Sequence, residues 1–217
     1  MIDAVLFDLD GTLFNRDHTV SAVLARQVRQ FAHLIPASQA LAFTRRVEAL
    51  DAHGHRDKRE VYAIIGTEFG FDTATVAELV ASFWAEYPAC CRLDEGVADT
   101  LATLRARGKR LGIVTNGSTA IQRAAVEALG VEASVDTIVI SEAEGMRKPD
   151  ASIFRLAATR LGIPVERCCF VGDHPEVDVL GAQRAGLHAF WKRTSYWPPP
   201  EPVPTIDAIS DLLALIS

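Results

Sequence analysis

Five short, strongly apolar runs separated by helical stretches constrain this chain most. Ala4-Val5-Leu6-Phe7, Arg110-Leu111-Gly112-Ile113-Val114, Thr137-Ile138-Val139-Ile140, Cys168-Cys169-Phe170-Val171 and His188-Ala189-Phe190-Trp191 are too short for helices. They lack the polar alternation of half-solvated strands, so they read as strands buried on both faces. Between the later runs lie helical patterns. Residues 95–107 repeat apolar side chains at three- and four-residue steps and stop at Gly108. Asp150 is placed to cap a helix over 151–162, with Ile153, Leu156, Ala157 and Leu161 on one face. Alternation of this kind predicts a Rossmann-like α/β core, a parallel sheet between two layers of helix.

Residues 15–91 break the alternation. They contain no strand pattern, only amphipathic stretches near 20–34, 37–51, 58–69 and 74–86, with Asp57 and Thr73 as N-caps and breaks at Pro36, Gly54, Gly70 and Pro88. A helical block following the first strand predicts an inserted all-helical domain over 15–91, with the α/β core formed by 1–14 and 92–217. The tail passes through Pro198-Pro199-Pro200, a surface arm, into a helix expected over about 206–216.

A chain of 217 residues can bury a sizeable core without disulfides or structural metal. Its net charge of −6 argues against a nucleic acid polymer or an anionic membrane as partner. No run approaches the roughly 20 apolar residues of a membrane helix, and the acidic start MIDAVLFDLDGTL is unlike a signal peptide. The cysteines form two adjacent pairs, Cys90-Cys91 and Cys168-Cys169, without zinc-site spacing. They read as small buried hydrophobes, and the location expected is the cytoplasm.

Chemistry concentrates after the strands. The first ends in Asp8-Leu9-Asp10-Gly11-Thr12, where residues two apart project to the same side and Gly11 permits a tight turn. Taken alone, that segment also fits a capped turn. The second runs into Thr115-Asn116-Gly117-Ser118, a hydroxyl, an amide and backbone N–H groups suited to an anion, although TNGS is also an ordinary turn. The third leads to Arg147-Lys148-Pro149-Asp150, in which Lys148 alone reads as a solvated cation. The fourth leads to Gly172-Asp173-His174-Pro175-Glu176-Val177-Asp178. Open α/β sheets bind ligands outside the carboxyl ends of their strands. Four polar clusters on that one rim predict an active site.

DLDGT, the Thr of VTNGS, the Lys of RKPD and GDxxxxD, in this order, resemble the four motifs of the haloacid dehalogenase superfamily, and the helical insert resembles the C1 cap of its subfamily I phosphatases. The resemblance implies a phosphatase acting on a small phosphorylated metabolite. Asp8 would attack phosphorus and form an aspartyl-phosphate, and Asp10 would serve as general acid and then general base. Lys148 would balance Asp8 and the phosphate, and Thr115 would donate to a phosphoryl oxygen, with Asn116 and Gly117 completing the phosphate site. Asp8, Asp10 and Asp173 clustered together would repel one another, which calls for a hard divalent cation, Mg²⁺. In the family, Asp8 and Asp173 offer side chains to it and Asp10 its backbone carbonyl; Asp178 supports the metal water or Lys148.

The same resemblance leaves other reactions open. A dehalogenase of this superfamily lacks the second aspartate, and Asp10 is present. A phosphonatase needs a cap lysine able to form an imine; Lys58 is the one lysine of the insert, expected to be solvated in the first turn after Asp57. A phosphosugar mutase would need a cap that excludes water, and a non-catalytic scaffold would not need the full set of motifs. His174, before Pro175, is read as a loop shaper. Selectivity is expected in the cap, with Phe14, Asn15, His53, His55, Arg56 and Lys58 as its candidates. Trp197 is read as an exposed apolar side chain.

Overall fold

The computed structural model describes residues 1–200 and 202–216. In chain order its elements are β1 (Ala4–Phe7), α1 (Arg16–Gln30), α2 (Ala37–Asp51), α3 (Lys58–Phe69), α4 (Thr73–Cys90), α5 (Val97–Ala106), β2 (Arg110–Thr115) and α6 (Thr119–Leu129). Then follow β3 (Thr137–Ile140), α7 (Ser141–Glu144), α8 (Ala151–Leu161), β4 (Cys168–Gly172), a π-helical turn over Pro175–Leu180, α9 (Gly181–Ala185), β5 (His188–Lys192), β6 (Thr205–Ile206) and α10 (Leu212–Leu215). The chain divides into two compact units, residues 1–15 with 93–217, and residues 16–92.

The first unit is built on one parallel sheet in the order β3-β2-β1-β4-β5-β6. β1 lies inside it, with Phe7 level with Ile113 on one side and Val171 on the other. Its four residues are fully buried, because alternate side chains enter opposite layers. Ala4 and Leu6 face the apolar stripe of α8 (Ile153, Phe154, Ala157) and α9 (Ala182, Ala185). Phe154 meets Phe170 of β4 edge-on at 4.9 Å between ring centroids. The parallel α/β core expected from the apolar runs is the observed one.

The tail differs from expectation. In place of a helix over 206–216, Thr205–Ile206 adds a sixth strand beside Trp191 and Lys192, and the helix is only Leu212–Leu215. β5 would otherwise end the sheet with unpaired backbone groups; Trp191 N–H donates to Pro204 O and Arg193 N–H to Ile206 O. Trp197 is half-buried, packed on the core beside the His174 ring, rather than exposed.

The second unit is the four helices α1–α4. Asp57 caps α3 as expected, its carboxylate accepting from Arg59 N at 2.6 Å. The cap of α4 is Asp72, accepting from Thr75 N at 2.8 Å, rather than Thr73. Pro88 does not end α4, which continues to Cys90; a proline in the last turn forfeits one hydrogen bond, and Cys91 N–H closes the end on Pro88 O. Among the described residues no helix is long and apolar enough to cross a membrane.

Candidate active site

Every motif residue sits at the carboxyl edge of the first unit's sheet. Asp8 directly follows β1, Thr115 ends β2, Lys148 lies between α7 and α8, and Asp173 follows β4. The Asp8 amide still donates to Val171 O at 2.9 Å, so its Cα is held in sheet geometry. Asp178 reaches the site through the π-helical turn, and Gly172 makes room for it: a Cβ at 172 would fall 2.4 Å from the Asp178 Cβ.

Two linked groups result. In the first, buried Lys148 donates from Nζ to Asp8 Oδ1 at 2.5 Å and to Asp178 Oδ1 at 2.7 Å, its ammonium lying 5.2 Å from the centroid of the Phe170 ring. Asp8, Asp173 and Asp178 are all buried and offer oxygens within 4.8 Å of one another. Three carboxylates thus face one ammonium. Burial, with Asp178 and Asp173 adding to it against Lys148, pushes Asp8 well above the usual carboxylate range. Burial and then Asp178 push Asp173 up to about 7. For Lys148, burial pulls downward but Asp178 and Asp8 outweigh it and hold the amine charged.

That imbalance is a test of fit for a metal. Buried carboxylate oxygens in excess of their countercharge are the donor set a hard divalent cation requires. Asp8, Asp173 and Asp178 satisfy it, with Asp178 contributing to the cluster itself while also holding Lys148. Asp173 is fixed from outside the cluster. Tyr196 Oη donates to its Oδ2 at 3.1 Å, and the Trp191 indole N–H donates to its carbonyl at 2.7 Å.

The second group joins Asp10 and Thr115. Gln122 of α6 donates from Nε2 to Asp10 Oδ2 at 2.7 Å and to Thr115 Oγ1 at 2.6 Å. Asn116 clamps the Lys148 backbone: its Nδ2 donates to Lys148 O and its Oδ1 accepts from Lys148 N, both at 2.9 Å. Gly117 N–H donates to Ser141 Oγ at 3.0 Å. Lys192 Nζ donates to Gly11 O at 3.2 Å and to Asp94 Oδ2 at 2.7 Å, bracing the turn after β1. Gln122, Tyr196 and Lys192 carry no motif that marks them in the sequence; Gln122 sits in a segment whose pattern is simply helical.

His174 shapes its loop. Its Nδ1 accepts from the amides of Glu176 and Val177 at 3.1 and 3.2 Å, and burial lowers the ring's proton affinity. All four cysteines are buried free thiols, with burial pushing Cys168 up to about 11 and Cys169 higher still, so neither strand thiol is a nucleophile at neutral pH.

A family model described as haloacid dehalogenase-like hydrolase matches residues 2–186. The chain belongs to this family. Among members with curated names, it is 31% identical over 193 residues to a glyceraldehyde 3-phosphate phosphatase of Methanothermobacter thermautotrophicus, covering 87% of this chain and 84% of that one. It is 32% identical over 216 residues to a phosphoglycolate phosphatase of Rhodospirillum rubrum, covering 97% and 86%. The HAD-hydrolase YfnB from Bacillus subtilis, solved bound to magnesium, superposes with a TM-score of 0.83 over 100% of this chain and 99% of that one at 21% identity, a likeness of fold.

In the second unit Lys58 departs from expectation. It opens α3 as anticipated but is buried, not solvated. Its ammonium contacts the Asp51 carboxylate, which Arg16 Nη1 also reaches at 2.5 Å, and lies 4.8 Å from the Phe83 ring centroid. The aliphatic stem and the ring shield a charge already paired. His53 bonds Asp17 at 3.0 Å, while His55 and Arg56 are exposed. Phe14, in the first unit, is buried and bridges to Leu93, and the Asn15 main-chain N–H donates to Asp94 Oδ1 at 2.8 Å.

Proposed function

We propose that this hydrolase is a phosphatase that moves the phosphoryl group of a small phosphorylated metabolite first to Asp8 and then to water. The observation that carries the reading is the division of labour between two nearby aspartates. Asp8 is tied to a charged lysine inside the carboxylate cluster, while Asp10 is bonded outside it, to Gln122. A nucleophile and a separate proton carrier are what hydrolysis of a phosphate ester with a poor leaving group needs.

In the first step an Asp8 carboxylate oxygen bonds to phosphorus. The bond from phosphorus to the ester oxygen breaks, its electron pair stays with that oxygen, and protonated Asp10 delivers the proton that releases the alcohol. In the second step water attacks phosphorus as Asp10 takes its proton; the bond to Asp8 breaks, the carboxylate returns, and orthophosphate leaves. Lys148 balances Asp8 and the phosphate throughout, and Thr115 donates to a phosphoryl oxygen; such fixed positive charge and donors account for most of phosphoryl-transfer catalysis. Asp8 and Asp173, with the Asp10 carbonyl and support from Asp178, would hold Mg²⁺, which when bound supplies charge neutralisation to the phosphoryl oxygens.

The substrate class follows the relatives whose names carry small phosphorylated metabolites, and Asp10 favours an oxygen leaving group over a halide. We read the Arg16–Arg92 unit as the cap that confers selectivity, and the buried free thiols as those of a cytoplasmic protein. The ion pair at Lys58 disfavours the phosphonatase reading, because an imine-forming lysine must present a neutral amine.

Hydrolysis of p-nitrophenyl phosphate with Mg²⁺, with and without chelator, tests the proposal. Wild type is expected to turn over only with the metal, and Asp8→Asn is expected to be inactive and to trap no phosphate on residue 8. Full rate in Asp8→Asn would overturn the mechanism. A panel of phosphorylated metabolites then identifies the substrate.

A further inference from the structure

Gln122 occupies a position that the pattern of α6 assigns to the core. Its neighbours on the same helix face, Ala125, Val126 and Leu129, are buried and apolar, and Gln122 itself is only 4% exposed. A buried primary amide on an apolar stripe carries a desolvation cost unless its polar atoms are used. Here one nitrogen makes two short bonds, 2.7 Å to Asp10 Oδ2 and 2.6 Å to Thr115 Oγ1, with the Asn116 carbonyl farther off at 3.4 Å. The loop before α6 leaves space for this side chain: a Cβ on Gly117 would lie 2.9 Å from Gln122 Cγ and 3.1 Å from its Cδ.

The chemistry of the amide makes these contacts directional. Its nitrogen carries two protons and no acceptor lone pair. Thr115 Oγ1 therefore accepts from Gln122, and the threonine's own proton points to a different acceptor. At Asp10, Oδ2 receives the amide proton, which fixes the orientation of the carboxyl group. One side chain thereby constrains both the donor direction of the Thr115 hydroxyl and the orientation of the Asp10 carboxyl group.

We propose that Gln122 is a positioning residue for the phosphatase reaction, aligning Asp10 for proton delivery to the leaving group and Thr115 for donation to the phosphoryl group. The inference rests on the phosphatase reading given above. It requires a specific kinetic signature, since an aligned acid matters in proportion to how badly the leaving group needs a proton.

Phenyl phosphate and p-nitrophenyl phosphate differ in that need while having nearly the same size. kcat/KM for each reports the steps up to cleavage of the ester bond, before hydrolysis of the phosphoenzyme. Gln122→Met removes the donor at similar length, and Gln122→Glu replaces it by an acceptor. Both are expected to lower kcat/KM for phenyl phosphate by about 100-fold, the scale of a misplaced catalytic group, and to lower it far less for p-nitrophenyl phosphate. Melting temperatures close to wild type accompany that split. Equal losses on both esters, or no loss on either, in a folded variant would overturn the assignment while leaving the phosphatase reading intact. If Gln122→Met fails to fold, Gln122→Glu carries the comparison alone. Wild type inert towards both esters overturns the phosphatase reading, and this inference with it.

Discussion

Gly11→Ala separates two penalties that the site imposes on one residue. Gly11 has φ +82°, a left-handed backbone that costs an alanine about 1–2 kcal/mol. An added Cβ would also lie 2.6 Å from Asp173 Oδ2. Restoring the 3.4 Å of ordinary contact moves that oxygen by about 0.8 Å. Metal–ligand distances tolerate only about 0.2 Å, so a carboxylate displaced this far ceases to be a good ligand. Gly130 is the control, with φ +66° and nothing within 4 Å of an added Cβ. Gly130→Ala and Gly11→Ala should both lower the melting temperature, by roughly 2–8 °C for a chain of this size. Only Gly11→Ala should raise the Mg²⁺ concentration for half-maximal p-nitrophenyl phosphate hydrolysis, by at least about 10-fold. Equal Mg²⁺ dependence in the two variants would refute the reasoning, because the contact with Asp173 would then carry no consequence for the metal.

Phe154→Ala should cost about 3–5 kcal/mol in urea unfolding, since Phe154 is fully buried against Phe170; a loss below about 1 kcal/mol would mean that the α8 face repacks freely. In chelator, stability should fall as pH rises from about 4 to 7. Asp173 binds its proton up to about pH 7 in the fold, so over that interval the native state holds more protons than the unfolded chain. Added Mg²⁺ should flatten the decline, and melting curves that rise with pH in chelator would contradict the charge imbalance. Borohydride reduction in the presence of phosphonoacetaldehyde should leave the protein mass unchanged, because the Lys58 ammonium is paired with Asp51; an adduct on Lys58 would revive the phosphonatase chemistry.

How far the sequence can be read depends on whether a residue's partner is local. β1 is visible to the residue, because a strand buried on both faces is a continuous apolar run whatever surrounds it, and the edge strand β3 is visible because its β-branched residues form an equally unbroken run. Asp8 and Asp173 are visible because each directly follows a strand, and Lys148 and Asp178 because they stand in short polar motifs farther along the connections after β3 and β4. Gln122 is invisible for the opposite reason: its partners Asp10 and Thr115 belong to other elements, and glutamine is unremarked in a helix. Lys58 shows the same blindness, being buried as Gln122 is. The first turn of α3 is legible, but the lysine's burial depends on Asp51 at the end of α2 and on the Phe83 ring of α4. β6 escapes detection because two residues carry no periodicity, and only the open edge of β5 gives them a role.

The paired bonds between Asn116 and Lys148 have a mechanical consequence. Through them a side-chain amide imitates a peptide unit and adds a rung to the sheet beyond Thr115↔Ile140, the last residue pair between β2 and β3. Lys148 is eight residues past the end of β3, yet its main chain is registered to β2 as a strand residue would be. The ammonium is then anchored at both ends of a flexible stem, by the ladder at its base and by two carboxylates at its tip. A loop lysine acquires the placement of a core residue, and the countercharge facing Asp8 is fixed before any substrate arrives.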